Sequence, residues 1–244
     1  MTAADDAPGP VFRDDVDVEL VGADASDADV VRAARVSTLA EGAEDATGTD
    51  PDRDAGLVRY LLRSRHGTPF EHSTFTFRVA APIFVFREFQ RHRVFSYNEE
   101  SARYRELRPV FYVPGRERRL VQVGKAGAYT FEPGTDAQHD VVERQTREAC
   151  TRAHEAYRAM LDAGVAREVA RGVLPVATYS SMYVTGNARA WLGFLSLRTA
   201  RPDSAYPSSP QREIEMVAEK IEEHVARLMP VTHAAYEAAG RVSP

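Results

Sequence analysis

REFQRHRVFSYNEESARYREL, residues 87–107, carries more charged and hydrogen-bonding side chains per turn than any other part of the chain, and it follows directly on an apolar run. Arg87, Arg91, Arg93, Arg103 and Arg105 surround the polar string Ser96, Asn98, Glu99, Glu100 and Ser101, with His92 between two arginines. Phe89, Phe95 and Tyr97 are interleaved among them. Clustered guanidinium forks suit phosphate recognition, because each presents several fixed donors to anionic oxygens. The same spacing also suits a solvated face with ion pairs such as Glu99 to Arg103 at i,i+4. Just upstream, Pro82 opens a helix over PIFVFREFQRHR, so the stretch begins on a helix and runs out into a polar loop.

Working outward, local signals place the neighbouring elements. Ser73 to Ala80 alternates Phe75, Phe77 and Val79 as a half-buried strand. HGTPFEH, residues 66–72, is a turn, and Asp50 with Pro51 reads as the N-cap and first position of a helix ending near His66. Residues 40–49 are small and polar, hence a loop. Ser26, with Asp29 in capping-box position, starts a helix that ends near Ser37. Val16, Val18 and Leu20 alternate as a strand. Residues 1–14 are acidic, contain Pro and Gly, and read as a disordered tail.

Downstream, Val110 to Val113 is a short strand, and residues 115–134 form an irregular or hairpin region with turns at Gly124, Gly127 and Gly134. Residues 137–163 carry apolar side chains at helical spacing and predict the longest helix. A short helix over VAREVARGV stops at Pro175, and residues 176–184 are compatible with strand or helix. Asn187 caps ARAWLGFLSLR. RPDSAYPSSP is a loop before an amphipathic helix from Gln211 to Leu228 and a shorter one after Pro230. There is no internal repeat and no linker rich enough to divide the chain, which predicts one catalytic domain over residues 15–240.

With 244 residues, 43% apolar and 27% charged, the chain is long enough for a buried core and has a globular composition. No apolar run approaches the roughly 18 residues of a membrane span. MTAADDAPGP has neither a basic region nor an apolar core of a leader, so the expected location is the cytoplasm, with no membrane partner. A net charge of -5 argues against a broad nucleic-acid surface but leaves room for a local arginine pocket. Cys150 is the single cysteine of the sequence, which removes intrachain disulfides and cysteine zinc sites. It sits in a helical pattern, REACTRAHEAY, that predicts a buried structural thiol and chemistry without a thiol nucleophile.

The polar clusters lie at element ends: Ser37; His66 to His72; Arg91 to Arg103; and Arg171 with Asn187, Arg189 and Arg198. His66, Glu71, His72 and His92 offer nitrogen and oxygen atoms to a metal, and a metal-dependent nucleotide hydrolase is one reading of them, but their spacing matches no helical His-Glu-His pattern and no metal is expected. No glycine-rich run precedes a lysine, so a phosphate loop is not expected either.

Laid out in order, these clusters resemble the flavin-dependent thymidylate synthases. The family signature is Arg-His-Arg, any seven residues, then Ser; here it reads Arg91-His92-Arg93 followed by Ser101. The resemblance extends through APIFVFREF, RVFSYNEESARY, AARVS, HGTPFEH, VAREVARGVLP, NARAWLGFLSLR and QREIE, and covers most of residues 16–235. It implies an α+β fold, long helices packed on a small, mostly antiparallel sheet, as the single-domain subunit of a homotetramer with sites shared between subunits. It implies reductive methylation of dUMP to dTMP, with methylenetetrahydrofolate as carbon donor, NADPH as reductant and FAD as bound hydride carrier.

By the same resemblance, Ser37, His66, Thr68 and Glu71 would face the flavin nucleotide, and Arg91, His92, Arg93, Glu99, Asn187, Arg189 and Gly193 would complete its site. The dUMP site would take Glu88, Gln90, Arg91, Ser101, Ala102, Arg103, Arg171 and Arg198. Arg198 and Ser101 would be the catalytic pair, Arg198 against the uracil edge, where a fixed cation favours the ionised, electron-rich ring, and Ser101 as a donor orienting the nucleotide. Glu88 stands where many members have glutamine, and a carboxylate beside a phosphate is unfavourable unless it turns to an arginine. Ala102 replaces a glycine, which strains the backbone if positive φ is required there. These two departures also motivate an alternative, a regulatory protein that binds the nucleotide without turning it over.

Overall fold

A computed structural model describes residues 9–37, 50–125 and 128–244; the predicted tail up to residue 8 and the 40–49 loop lie outside them. Elements in chain order are β1 (Val11–Arg13), β2 (Asp17–Asp24), α1 (Asp27–Arg35), α2 (Pro51–Arg63), a 3-10 turn (Thr68–His72), β3 (Thr74–Pro82), α3 (Ile83–Phe89) and β4 (Ser96–Glu99). Then come β5 (Val110–Tyr112), β6 (Val121–Lys125), β7 (Ala128–Glu132), α4 (Asp136–Asp162), α5 (Arg167–Ala170), β8 (Tyr179–Asn187), α6 (Ala188–Arg198), α7 (Arg212–Leu228) and α8 (Pro230–Ala238). This is the expected α+β fold, long helices with a small, mostly antiparallel sheet.

The main sheet has the order β2-β3-β8-β4. Its central pair is antiparallel: Ala188 N–H donates to Ser73 O (2.8 Å), Ile83 N–H donates to Thr178 O (3.0 Å), and between them the Thr76 and Thr185 hydroxyls lie 2.9 Å apart. β6 and β7 form an antiparallel hairpin, with Gly124 in left-handed backbone at φ 98°.

Capping follows the local signals. Ser26 accepts from Asp29 N–H, Asp50 from Arg53 N–H, and Asn187 from Ala190 N–H, each closing an orphan donor of a first helical turn. α4 opens on a full capping box between Thr135 and Gln138. Asp27, in the first turn of α1, also caps α8 from far away in sequence. Its carboxylate accepts from Val231 N–H (2.9 Å), Thr232 N–H (2.8 Å) and the Thr232 hydroxyl (2.6 Å).

Two expectations are corrected. Val11–Arg13 lie in the stretch that composition marks as a tail, yet they form a strand paired in parallel with Val110–Tyr112, because the pairing partner is distant and apolar. The loop expected after the RHR triplet contains β4, a polar strand whose ladder position, beside β8, lies outside any local pattern.

The described residues group into two compact units. One is built from residues up to Asp15, Ala80–Arg87 and Glu99–Ser181; the other from Val16–Val79, Glu88–Asn98 and Met182–Pro244. In the first, Phe86, Phe111, Cys150 and Tyr157 are buried. In the second, α7 buries Ile214, Val217, Ala218, Ile221 and Val225 at helical spacing, and the β3 side chains Phe75 and Phe77 join Trp191, Leu192, Phe194 and Leu195 of α6 in the core.

Candidate active site

In the unit that contains α6, the last residue of that helix gathers a charged cluster. Arg198 Nη1 donates to Glu88 Oε2 at 2.6 Å, Nη2 to the Glu88 carbonyl at 3.3 Å, and Nε to His92 Nε2 at 3.0 Å. The Arg198 and Glu88 side chains are only 18% and 23% exposed, so the pair is weakly screened. Burial pushes the Glu88 carboxyl up, Arg198 opposes it, and Glu213 adds to the rise. Burial and then Arg198 lower the His92 imidazole to about 4. His92 is therefore neutral near pH 7, with Nε2 free to accept from Arg198 and its proton on Nδ1.

Aromatic packing fixes this cluster in place. Phe89 stacks on Phe194 at 4.7 Å and His92 meets Phe194 edge-on at 5.0 Å. The Tyr97 hydroxyl lies 2.6 Å from the Phe89 carbonyl and 2.7 Å from the His92 carbonyl, and burial pushes its pKa up to about 12. Tyr97 thus ties down the turn between α3 and β4 on which His92 sits. Of the five N–H donors on Arg198, three are engaged among the described residues, which leaves two to offer a ligand.

Protonating His92 would break the Arg198 bond and set cation against cation. Its pKa is about 4 in the folded chain against an ordinary value of 6.5, so the unfolded chain binds more protons in that window. The His92 contribution to stability is whole above pH 6.5 and is lost as pH falls toward 4. Melting curves from pH 7 to pH 4 should therefore show a smaller pH-dependent loss in His92→Gln than in the parent protein, and identical slopes would refute the assignment.

A second cluster in the same unit joins the 3-10 turn to the start of α6. Arg189 Nη1 donates to Glu71 Oε1 at 2.6 Å and its Nε to the Pro244 carbonyl at 2.8 Å. Gly67 makes room: a Cβ there would lie 2.5 Å from Arg189 Nε. His66, Thr68 and Glu71 are exposed around it, and α1, whose C-terminal end carries Ser37, packs on the same turn. Gly193 lies one turn further along α6, where a Cβ would sit 3.7 Å from Ser243 Oγ. Gln90, Arg91 and Arg93 are exposed in the turn after α3.

In the other unit, a cavity of about 250 Å³ is lined by Glu99, Ser101, Ala102, Arg171 and Ser180 over an apolar floor of Ile83, Leu107 and Leu174. Desolvation pushes the Glu99 carboxyl up, while the Ser180 hydroxyl and Arg171 work against the rise. Ser180 Oγ is buried without a hydrogen bond of normal geometry. Arg103 stands beside the cavity, its N–H donating to Ser101 Oγ (3.3 Å) and its Nε to Glu168 (3.1 Å).

The alternative reading of Glu99 and Arg103 as an i,i+4 ion pair gives way here. Arg103 pairs with Glu168 and Arg105 with Glu100 (2.9 Å), because residues 99–103 leave a strand through a turn, where i,i+4 residues do not share a face. Cys150 is buried, and burial pushes its thiol up, which disfavours the thiolate.

The residues expected at the dUMP site therefore divide: Ser101, Ala102, Arg103 and Arg171 belong to one unit, Glu88, Gln90, Arg91 and Arg198 to the other. Those expected at the flavin lie in the second unit, apart from Glu99. Sequence reasoning assigned no role to Tyr97, Gly67 or Ser180. A hydroxyl eight residues from the carbonyl it reaches, and a glycine between two residues of the HGTPFEH motif, were the available signals for the first two.

Comparison with known proteins decides the family. A family model described as "Thymidylate synthase complementing protein" matches residues 19–231. The chain is 58% identical over 244 residues to a flavin-dependent thymidylate synthase of Streptomyces avermitilis, covering 100% of this chain and 99% of that one. It is 57% identical to the protein of the same name from Streptomyces coelicolor, covering 98% of each. The chain belongs to the flavin-dependent thymidylate synthases.

Among solved structures, a UMP/dUMP methylase, PolB, from Streptomyces cacaoi bound with 5-Br UMP superposes with a TM-score of 0.90 at 55% identity, covering 97% of this chain and 100% of that one. The same methylase bound with 5-Br dUMP gives 0.91 at 57%, covering 96% and 100%. Within the flavin-dependent synthase family the two departures of this chain have physical answers. Glu88 turns to an arginine, at 2.6 Å. Ala102 is buried and is not among the described residues with positive φ, so the methyl group brings no left-handed strain.

Proposed function

We propose that this chain reductively methylates dUMP to dTMP, with methylenetetrahydrofolate as carbon donor and NADPH as reductant, and so serves dTMP synthesis. The observation that carries the reading is Arg198: a guanidinium at a helix end, locked by Glu88 and a neutral His92, with two donors left over. Such a preorganised cation can meet the O4–N3 edge of a uracil and stabilise negative charge that develops on the ring. Carbon 5 then becomes the nucleophile, and no cysteine is needed, in keeping with the buried Cys150.

The donor set fits an FAD. A dinucleotide pyrophosphate needs cations and N–H or O–H donors, and His66, Thr68 and Arg189 would supply them around Gly67, whose lack of a side chain leaves the space that the Arg189 guanidinium occupies. Ser37, Glu71, Arg91, His92, Arg93, Glu99, Asn187 and Gly193 would complete the site. A bound FAD would supply hydride transfer between NADPH and the nucleotide. Ser101, Ala102, Arg103 and Arg171 would take the nucleotide with Glu88, Gln90 and Arg91, the arginines on the phosphate and the Ser101 hydroxyl orienting it. The reading also carries one catalytic domain over residues 15–240 and a cytoplasmic homotetramer whose subunits share these sites. No described helix is long and apolar enough to cross a membrane.

Purified protein should be yellow and form dTMP from dUMP when given NADPH and methylenetetrahydrofolate. A colourless preparation that binds dUMP without turnover would sink the proposal. UMP belongs in the same assay, because a structural relative at 55% identity is described as a UMP/dUMP methylase. Arg171→Ala should raise the KM for dUMP by about 10- to 100-fold, the worth of one charge-assisted bond to phosphate, with flavin content unchanged. An unaltered KM would remove Arg171 from the nucleotide site.

A further inference from the structure

The end of the chain folds back on α6. Arg241 is nearly buried, with a side chain 4% exposed, and its backbone is left-handed at φ 58° directly after Gly240 at φ 71°. A residue with a Cβ is strained there, and such strain persists where surrounding contacts over-determine the conformation. The contacts are specific. Nη1 donates to Glu222 Oε1 (2.7 Å) and also meets Glu237, while Nη2 donates to Glu222 Oε2 (3.1 Å) and to the hydroxyl of Thr199 (2.7 Å). The guanidinium also lies over the Tyr236 ring at 5.0 Å.

Thr199 is the residue immediately after Arg198 and closes the last turn of α6. Its hydroxyl donates to the Leu195 carbonyl at 2.7 Å, so with Arg241 it is used both as donor and as acceptor. Ser196, on the other side of Arg198 in sequence, donates to the Arg241 carbonyl (2.7 Å) and lies 3.0 Å from the Tyr236 hydroxyl. The turn that presents Arg198 is therefore held from behind at two points, while the Arg198 fork itself points to Glu88 and His92. Glu222 stays charged opposite Arg241. Burial works against the carboxylate, but hydrogen bonds from His233 and Arg241 hold its pKa at about 2.

Glu222, His233 and Glu237 are also close enough together to suggest a cation site. The Arg241 guanidinium already occupies the space between the carboxylates, and Arg201 stands 3.6 Å from Glu222, so a second cation has no favourable place there.

We propose that Arg241 is a positioning residue for the reaction: through the Thr199 hydroxyl it sets the angle at which α6 presents Arg198. This rests on the reading of Arg198 as the group that meets the pyrimidine. Misplacing a catalytic group by an ångström can cost about 100-fold in rate without loss of the fold.

The test uses Thr199→Val, which keeps the branched shape and removes the acceptor, beside Thr199→Ser, which restores it. Arg241→Lys is the third variant; it keeps a cation against Glu222 but cannot span to Thr199 as well. All are assayed as holoenzyme, per bound flavin, on dUMP. Thr199→Val and Arg241→Lys should show kcat reduced about tenfold or more with the flavin spectrum and flavin content retained, and Thr199→Ser should return to near the parental value. A kcat per flavin in Thr199→Val equal to the parent, or equal losses in the Val and Ser variants, would overturn the inference. Arg198→Ala runs alongside: if it is fully active, the reading of Arg198 fails; if it is dead while Thr199→Val and Arg241→Lys are normal, only the positioning role fails.

Discussion

Arg198→Ala is expected to fold, to keep its flavin and to lose methyl transfer by about 10³-fold, the loss typical of removing one preorganised charge-stabilising donor. The cause is local. Arg198 is 18% exposed and its fork is aimed by three bonds to Glu88 and His92, a placement that the proposed reading sets against the uracil ring. Its removal also leaves the Glu88 carboxylate partly buried and unpaired, which costs about 1–3 kcal/mol. That penalty is softened because burial already pushes Glu88 toward its neutral form. The cluster around Gly67 and Arg189 that we propose for the flavin does not include Arg198, so the visible spectrum should persist. Full turnover in this variant would be fatal to the proposed role; loss of colour along with activity would shift that role to holding the cofactor.

Gly186→Ala should be the most damaging small substitution for stability. A Cβ at this position would lie 2.2 Å from Phe95 Cδ1 and 2.3 Å from Cε1. The ring cannot step aside, because Phe95 packs against Trp191 at 4.3 Å and Phe194 at 6.2 Å inside the core. Overpacking of this kind costs about 3 kcal/mol, or roughly 6–12 °C in Tm for a chain of this size. Gly186→Ala combined with Phe95→Leu should recover part of the loss, since the shorter side chain vacates the clash. A melting temperature unchanged by Gly186→Ala alone would show that Phe95 is free to move.

The reach of sequence reasoning follows from the range of each interaction. Ser26, Asp50 and Asn187 were legible as helix caps because a cap bonds only three residues ahead. β4 was not, because SYNE is polar and its strand character comes from β8, more than eighty positions away. β1 hid inside an acidic stretch for the same reason, its partner being Val110–Tyr112. At the site, Arg198, His92 and Glu88 stood out singly through the family motifs, but a bond spanning 106 or 110 residues has no local trace. Glu88 shows the point well: in the sequence it reads as a carboxylate in the wrong company, and in the fold it is the arginine's anchor. Tyr97 and Gly186 act through carbonyls and ring edges, features that residue type alone does not reveal.

Asp27 carries a consequence for how the chain comes to be folded. Its carboxylate closes the start of α8 across 204 positions, so α1 cannot make its final contacts until almost all of the chain has been synthesised. At ribosomal speeds of about 5–20 residues per second, that is roughly 10 to 40 s during which the apolar faces of α1 and α2 await their partner. The nascent protein thus has a window of vulnerability at its beginning that is sealed only by its end.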